Sequence, residues 1–459
     1  MRALFTDRYE LTMLAAYRQS GMAARRAVCE LFLRRLPPCR PFAIAAGIER
    51  AVRALLELRF EEADLRYIAS APGLRERGPD FVEWLQGLRF TGDAWAVPEG
   101  TPLFPGEPFL RIEAPIAQAQ IVETLLLSIV NFDSGIASKA ARLAIAARGR
   151  PVIEFGSRRT HELAAIDAAR AAYVGGCAGT SNEEAGRRYG IPVFGTLAHQ
   201  FILAYGPGGE ERAFRDYLAA FPEGAVLLAD TYDALEGIDR AIAAAGSRLR
   251  GVRLDSGDLG FLARAARAKL DAAGLGGAKV FASGDLDEYK IRALLDGGAP
   301  IDAFGVGTEL VAPSDCSTLG AIYKLVAIEG PTGRMLPVAK RSEGKATWPG
   351  AKQVYRRSEG AGRAAGDEIA LAEEPARPGR PLLVRRIAGG RPVAEEPPLF
   401  SARERALAEV AALPEGLTAI PGSPESAAPP EYPVERTRAL RDLFERASDP
   451  AGDPAWRSH

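Results

Sequence analysis

Residues 116–325 predict a βα barrel, on three observations. Short apolar runs alternate with amphipathic helical stretches. Successive runs are spaced roughly 25–30 residues apart, as strand–helix repeats require. Each run ends in Gly, Ser or Asp, at the position where a barrel carries its chemistry. An open doubly wound sheet has a similar pattern and stays open as an alternative. No G-x-G-x-x-G opens a helix, and no Walker loop is present.

Before this region, residues 1–125 read as mixed α+β. Thr6-Asp7 stand ready to cap a helix over YELTMLAAYRQSG, whose apolar residues recur every three to four positions until Gly21. Residues 28–33 read as a strand, followed by Arg34-Arg35 and Pro37-Pro38. Helical stretches follow around 47–59 and 79–88. GDAWAVPEGTPLFPGEPFLRIEAP then alternates apolar positions between Pro and Gly, as β segments do.

A helical stretch over 117–130 leads through SKAARLAIAARG to the strand PVIEFGSRR. The stretch Gly175 to His199, GGCAGTSNEEAGRRYGIPVFGTLAH, follows. Ser181 and Glu184 have the S-x-x-E spacing of a capping box. Gly190 stops the helix and Pro192 bars its continuation. Residues 191–194 read as a brief buried strand that releases Gly195-Thr196-Leu197-Ala198-His199. Further strands are GAVLLAD, RLRGVRLDSGD, AKVFASGD and PIDAFGVGT, covered by helices such as DLGFLARAARAKLDAAG and DEYKIRALLDGG.

After Tyr323-Lys324-Leu325-Val326 the pattern returns to β hairpins. PLLVRRIAGGRPV gives two strands around Gly389-Gly390. A helix over ARERALAEVAAL follows, then a Pro-rich link at 421–433, a final helix from Val434 and a tail expected to be disordered. The expected division is 1–125, 126–325, 326–440 and a tail at 441–459. The C-terminal β segments are expected to pack with the N-terminal segment, since neither is long enough to stand alone comfortably.

Composition excludes several classes. A net charge of −1 over 459 residues offers no basic stripe for nucleic acid. No run of about 18 apolar residues suggests a membrane span. The N-terminus MRALFTDRYELTML is acidic where a signal peptide is apolar. Four scattered cysteines without a C-x-x-C pair argue against zinc and a disulfide framework. A cytoplasmic location is the expectation.

The strand ends supply the chemistry. Ser283-Gly284-Asp285 and Gly305, Gly307 and Thr308 offer backbone N–H groups and hydroxyls to a phosphate. Asp230, Asp255, Asp258 and Asp285 form a carboxylate rim suited to holding Mg²⁺ through water, with helix capping as the plain alternative for Asp258. Arg158, Arg159 and Arg253 offer charged forks to an anion. Phe155 is placed to stack on a flat heterocycle, or else belongs to the core. Of the histidines at 161, 199 and 459, only His199 follows a strand in a turn of small residues.

Together these stretches resemble nicotinate phosphoribosyltransferases, which are type II phosphoribosyltransferases. The matching motifs run in order: TDRYELTM, EFGSRR, GTSNEEAGRRYGIPVFGTLAH, DTYD, VRLDSGDL, SGDLDEYKI, FGVGTEL, YKLV and KATWPGAKQVYR. Arg8 and Ser157 stand where the first two motifs ordinarily carry apolar residues, and Gln200 follows the histidine. The resemblance implies an irregular TIM-like α/β barrel with a second α+β domain built from both chain ends. It implies formation of nicotinate mononucleotide and pyrophosphate from nicotinate and phosphoribosyl pyrophosphate, with ATP as co-substrate and Mg²⁺ or Mn²⁺, in the salvage (Preiss-Handler) route to NAD. It also implies a homodimer with shared active sites. By motif, Tyr9, Phe155, Arg158, Thr196 and Arg253 are expected at nicotinate. Asp255, Ser283, Gly284, Asp285, Gly307 and Thr308 are expected at the phosphoribosyl group. His199 is expected to become phosphorylated, and His199, Arg253 and Asp255 to carry catalysis. Asp255 and Asp285 are the candidate water-mediated metal contacts. The alternatives are a nicotinamide or quinolinate phosphoribosyltransferase, or a catalytically silent nucleotide-binding barrel.

Overall fold

The apolar strand Arg26–Leu33 lies inside one sheet, because both of its edges find partners. In the computed structural model, which describes residues 3–340, 345–360, 362–423 and 430–447, the chain forms two units. The described parts of 1–135, 318–417 and 430–447 make the first, and 136–317 with 418–423 make the second.

The first unit holds a seven-stranded sheet drawn from both ends of the chain. Its order is Met335–Pro337, Ala321–Glu329, Arg26–Leu33, Pro108–Pro115, Asp93–Ala96, Val384–Ala388 and Arg391–Pro392. Every pairing in it is antiparallel. A four-stranded sheet of Arg380–Pro381, Lys352–Glu359, Arg363–Leu371 and Val434–Arg436 belongs to the same unit.

Two readings of this unit are corrected. Helix Glu62–Ser70 was not among the expected helices; Glu61 and Asp64 close a capping box at its start. The expected final helix from Val434 begins only at Arg438, because Val434–Arg436 pairs in parallel with Asp367–Ile369. Of the expected tail, 441–459, residues 441–447 belong to helix Arg438–Ala447; 448–459 lie outside the described residues, as does much of the Pro-rich link.

The second unit is an arc of six parallel strands. Their order is Gly179–Thr180, Val152–Glu154, Ala303–Val306, Lys279–Ala282, Leu249–Leu254 and Ala225–Leu228. This is half of a barrel wall, and its strands end where the Gly, Ser and Asp residues stand. Helices Ala234–Ala245, Leu259–Ala272 and Glu288–Asp296 each begin with an aspartate cap: Asp233 on Glu236 N, Asp258 on Phe261 N and Asp287 on Lys290 N. The plain alternative for Asp258 is therefore the one realised.

Two local expectations fail here. The residue that caps helix Glu183–Tyr189 is Asn182, whose Oδ1 accepts from Ala185 N at 2.9 Å. Glu184 instead pairs with Arg187 and Arg188, whose hydrogen bonds hold its pKa down to about 2. Residues 191–194 form no buried strand. A single parallel bridge joins Val193 to Thr180, and Pro192, Val193 and Phe194 are exposed. Pro192 has no N–H to extend a ladder. Among the described residues, no helix is long and apolar enough to cross a membrane.

Candidate active site at the strand ends of the parallel sheet

A cleft of about 640 Å³ opens at the C-terminal ends of the parallel strands. Phe155, Arg158, Thr196, Arg253, Asp255, Ser283, Gly284, Asp285, Gly307 and Thr308 all line it. Its wall comes from the second unit alone.

Arg253 is the hub. It leaves strand Leu249–Leu254 with its guanidinium half-buried, and each of its three nitrogens has its own partner. Nε donates to Ser283 Oγ at 2.7 Å, and two terminal nitrogens donate to Thr196 Oγ1 at 3.2 Å and Asp255 Oδ1 at 2.6 Å. Ser283 Oγ also donates to Asp255 Oδ1. Burial opposes ionisation of Asp255, but the Ser283 hydrogen bond and the Arg253 charge outweigh it and hold the carboxyl below its ordinary range. The guanidinium carbon lies 5.5 Å from the Phe155 ring centre. Phe155 in turn stacks on Phe281, with centroids 5.8 Å apart. Gly305 makes room for that ring: a Cβ there would stand 2.6 Å from Phe155 carbons. Phe155 is thus a cleft residue, half-buried with one face supported.

The second half of the cleft is backbone-rich. Gly284 has φ +96°, and a Cβ on it would lie 1.9 Å from the Asp255 carbonyl oxygen, so only glycine fits. Asp285 follows at φ +47°, its carbonyl accepting from Lys290 Nζ at 2.6 Å. Gly307 and Thr308 follow the neighbouring strand Ala303–Val306 and open a short helix.

Beneath the cleft lies Glu154, a fully buried carboxylate that sequence reasoning passed over. It accepts from the Thr180 hydroxyl and from Gly156 N. Burial raises its pKa above the ordinary value, against those hydrogen bonds. The only hint in the sequence is an acidic residue inside an apolar strand.

His199 begins the short helix His199–Leu203 beside the cleft. Its Nε2 lies 3.7 Å from Asp255 Oδ2, and its Nδ1 lies 3.1 Å from Thr231 Oγ1. Thr231, in the DTYD motif, was also unremarked in the sequence. Asp230 from the same motif is nearly buried and supports Asp255: its Oδ2 accepts from Asp255 N at 2.8 Å and from Ser256 Oγ at 2.7 Å. Tyr9 lies in the first unit, exposed on helix Arg8–Gln19. The cleft also takes in Ser157, Arg159 and Ser181.

Known proteins are similar to this chain in sequence and in fold. The family model of the nicotinate phosphoribosyltransferase N-terminal domain matches residues 4–131. A nicotinate phosphoribosyltransferase of Mycobacterium tuberculosis is 48% identical over 425 residues, covering 91% of this chain and 89% of that protein. The crystal structure of human nicotinic acid phosphoribosyltransferase superposes with a TM-score of 0.80 at 29% identity, covering 96% of this chain and 99% of the human one. A nicotinate-nucleotide pyrophosphorylase from Pyrococcus furiosus gives 0.72 at 28% identity, covering 89% of this chain and 95% of that one. With nearly half its residues shared along nine-tenths of its length, the chain belongs to the nicotinate phosphoribosyltransferase family.

Proposed function

We propose that this chain joins nicotinate to phosphoribosyl pyrophosphate, releasing nicotinate mononucleotide and pyrophosphate, in salvage of pyridine for NAD. The observation that carries the reading is the Arg253–Phe155 pair: a cation over a supported aromatic face, in a cleft whose opposite side is glycine-rich backbone. A planar anion can lie against the ring with its charge turned toward the guanidinium, and a phosphorylated sugar fits the backbone side.

In this reading Phe155 stacks on the pyridine, while Arg158, Thr196 and Arg253 hold its carboxylate and aim the ring nitrogen. Ser283, Gly284, Asp285, Gly307 and Thr308 receive the phosphoribosyl group. Asp255, kept ionised by Ser283 and Arg253, faces the charge that develops on the ribose as pyrophosphate departs. Tyr9 contributes from a partner copy of the chain in a homodimer.

Among the described residues, no three His, Cys, Asp or Glu side chains are grouped to hold a metal. Direct multidentate ligation therefore does not fit. A cation carried on pyrophosphate does fit, contacting Asp255 and Asp285 through water, as Mg²⁺ usually binds. Mg²⁺ or Mn²⁺ there supplies neutralisation of leaving-group charge. ATP is the expected co-substrate and His199 the residue it phosphorylates.

The test is a product assay with phosphoribosyl pyrophosphate and nicotinate, nicotinamide or quinolinate, each with and without ATP. Nicotinate mononucleotide as the main product supports the reading. Preference for either other pyridine, or nucleotide binding without turnover, overturns it.

A further inference from the structure

Ser157 is one of the residues by which this chain departs from the motif it otherwise matches, and the functional reading above gives it no task. Its surroundings fix the direction of its hydrogen bonds. The loop that carries it leaves strand Val152–Glu154 and lines the cleft. Its Oγ lies 3.0 Å from Asn182 Nδ2.

The orientation of the Asn182 amide is not free. Its other end, Oδ1, accepts the N–H of Ala185 at 2.9 Å as the cap of helix Glu183–Tyr189. A backbone N–H donates only, so the atom facing it must be the amide oxygen. The NH₂ end therefore faces Ser157 and donates to it. Asn182 is itself held in place. Its backbone N–H donates to Thr180 Oγ1 at 3.0 Å, and that hydroxyl donates to the buried Glu154 carboxylate. Ser181 N donates to the Glu154 carbonyl oxygen at 3.0 Å. The whole series is directional, from the helix cap to the cleft wall.

One consequence follows for Ser157. A hydroxyl has one proton and two lone pairs. Asn182 occupies a lone pair, and among the described residues no protein group accepts the Ser157 proton. The proton is thus left for an acceptor in the cleft. Arg158 and Arg159, next in the chain, line the same cleft and attract an anion.

We propose that Ser157 is a specificity-determining residue: polarised by Asn182, it donates its hydroxyl proton to the carboxylate of the pyridine substrate. The inference rests on the proposed reaction with nicotinate. A carboxylate offers an acceptor on either oxygen. A carboxamide offers one acceptor and presents donors on its other side, so it gains less from a group committed to donating. A pair of this kind, neutral donor to charged acceptor, is worth about tenfold in apparent affinity.

The experiment uses the full-length enzyme and three proteins: wild type, Ser157→Ala and Asn182→Asp. Wild type must first form nicotinate mononucleotide; complete inactivity with nicotinate would refute the proposed reaction, a result distinct from failure of the present inference. In Ser157→Ala, the KM for nicotinate should rise about tenfold, with the KM for phosphoribosyl pyrophosphate within about twofold of wild type. The nicotinate-to-nicotinamide preference in kcat/KM should fall by a similar factor. Asn182→Asp keeps an oxygen for Ala185 N, so the helix cap and thermal midpoint should be retained. It places an acceptor against Ser157, which then donates away from the cleft. Asn182→Asp should therefore reproduce the nicotinate KM of Ser157→Ala without touching the substrate. An unchanged nicotinate KM in Ser157→Ala overturns the proposal. Equal rises in both substrates' KM, or a lowered thermal midpoint accompanying them, also overturn it, because the role would then be structural. So does a wild-type nicotinate KM in Asn182→Asp.

Discussion

The Nδ1 of His199 lies 3.1 Å from the Thr231 hydroxyl oxygen, which turns Nε2 toward Asp255. An imidazole held at one nitrogen presents the other in a fixed direction. Here that nitrogen stands 3.7 Å from a carboxylate oxygen. A phosphoryl group arriving there needs its charge offset, and Arg253, bound to the same Asp255, is the cation nearest in the network. His199→Asn should lose ATP hydrolysis and acid-labile phosphate incorporation, while keeping a slow transfer without ATP. His161 is the control: it is exposed and caps helix Glu162–Val174 through Leu163 N. His161→Asn should still take up label from γ-labelled ATP. Label mapped to another residue would reject His199.

Arg253→Lys retains a charge but not three directed donors. Lysine cannot hold Ser283, Thr196 and Asp255 at once in a planar fork. Its KM for nicotinate should rise by about tenfold or more, since one charge-assisted bond is worth roughly 1.5–3 kcal/mol. Steady-state kinetics with nicotinate as the varied substrate check this. An unchanged KM would mean the guanidinium geometry does not serve binding.

Gly305→Ala probes the aromatic wall. The added methyl would meet the Phe155 ring at 2.6 Å and force it to turn. Stacking on the pyridine should weaken, raising the nicotinate KM several-fold, with the fold retained by far-UV circular dichroism. The loss should be smaller in a Phe155→Leu background, where the ring is already gone.

Tyr9 tests the shared-site reading. It is exposed, and its helix is in the unit that contributes nothing to the cleft wall. Mixing Tyr9→Ala with Arg253→Ala protein should restore activity through hybrid dimers that hold one intact site. Absence of recovery, with subunit exchange demonstrated, would reject the arrangement.

Glu107 makes the stability of the first unit fall as pH rises. It is buried and beside Asp367. Desolvation first, and then the Asp367 charge, push its pKa well up. The folded state therefore holds a proton that the unfolded chain releases near pH 4. Its stability contribution is complete below that pH and is lost as pH rises through the folded pKa. Glu107→Gln removes the titration and leaves an oxygen for Phe104 N. The variant should track wild type at and below about pH 4 and gain on it as pH rises. Parallel curves of thermal midpoint against pH would refute this.

The strand ends were readable because glycine, serine and aspartate there follow apolar runs with regular spacing. Arg253, Ser283 and Gly307 fall out of that pattern directly. Asn182 did not, because S-x-x-E at Ser181 competes with it one position earlier and the local sequence does not choose between them. In the fold Asn182 is held by Thr180, whose hydroxyl accepts the Asn182 N–H and donates to Glu154, 26 residues back in the chain. Val434–Arg436 was misread as helix for a similar reason: its strand conformation depends on Asp367–Ile369. Periodicity reports what a segment buries, whereas these features depend on distant partners.

The interior strand Arg26–Leu33 of the first unit meets its last partner late. Arg26 N donates to the Glu329 carboxylate across 303 positions of sequence, and Ala27 faces Ile328 in the ladder. During synthesis from the N-terminus, Arg26–Leu33 can pair with Pro108–Pro115 early, yet its other edge stays open until residue 329 has left the ribosome. By then the whole segment 136–317 has been made and is free to fold first. A nascent chain stalled before residue 321 would carry an unsatisfied β edge, the feature that chaperones bind and that invites misassembly. The sheet of the first unit can thus be completed only after the segment that forms the second unit has been made.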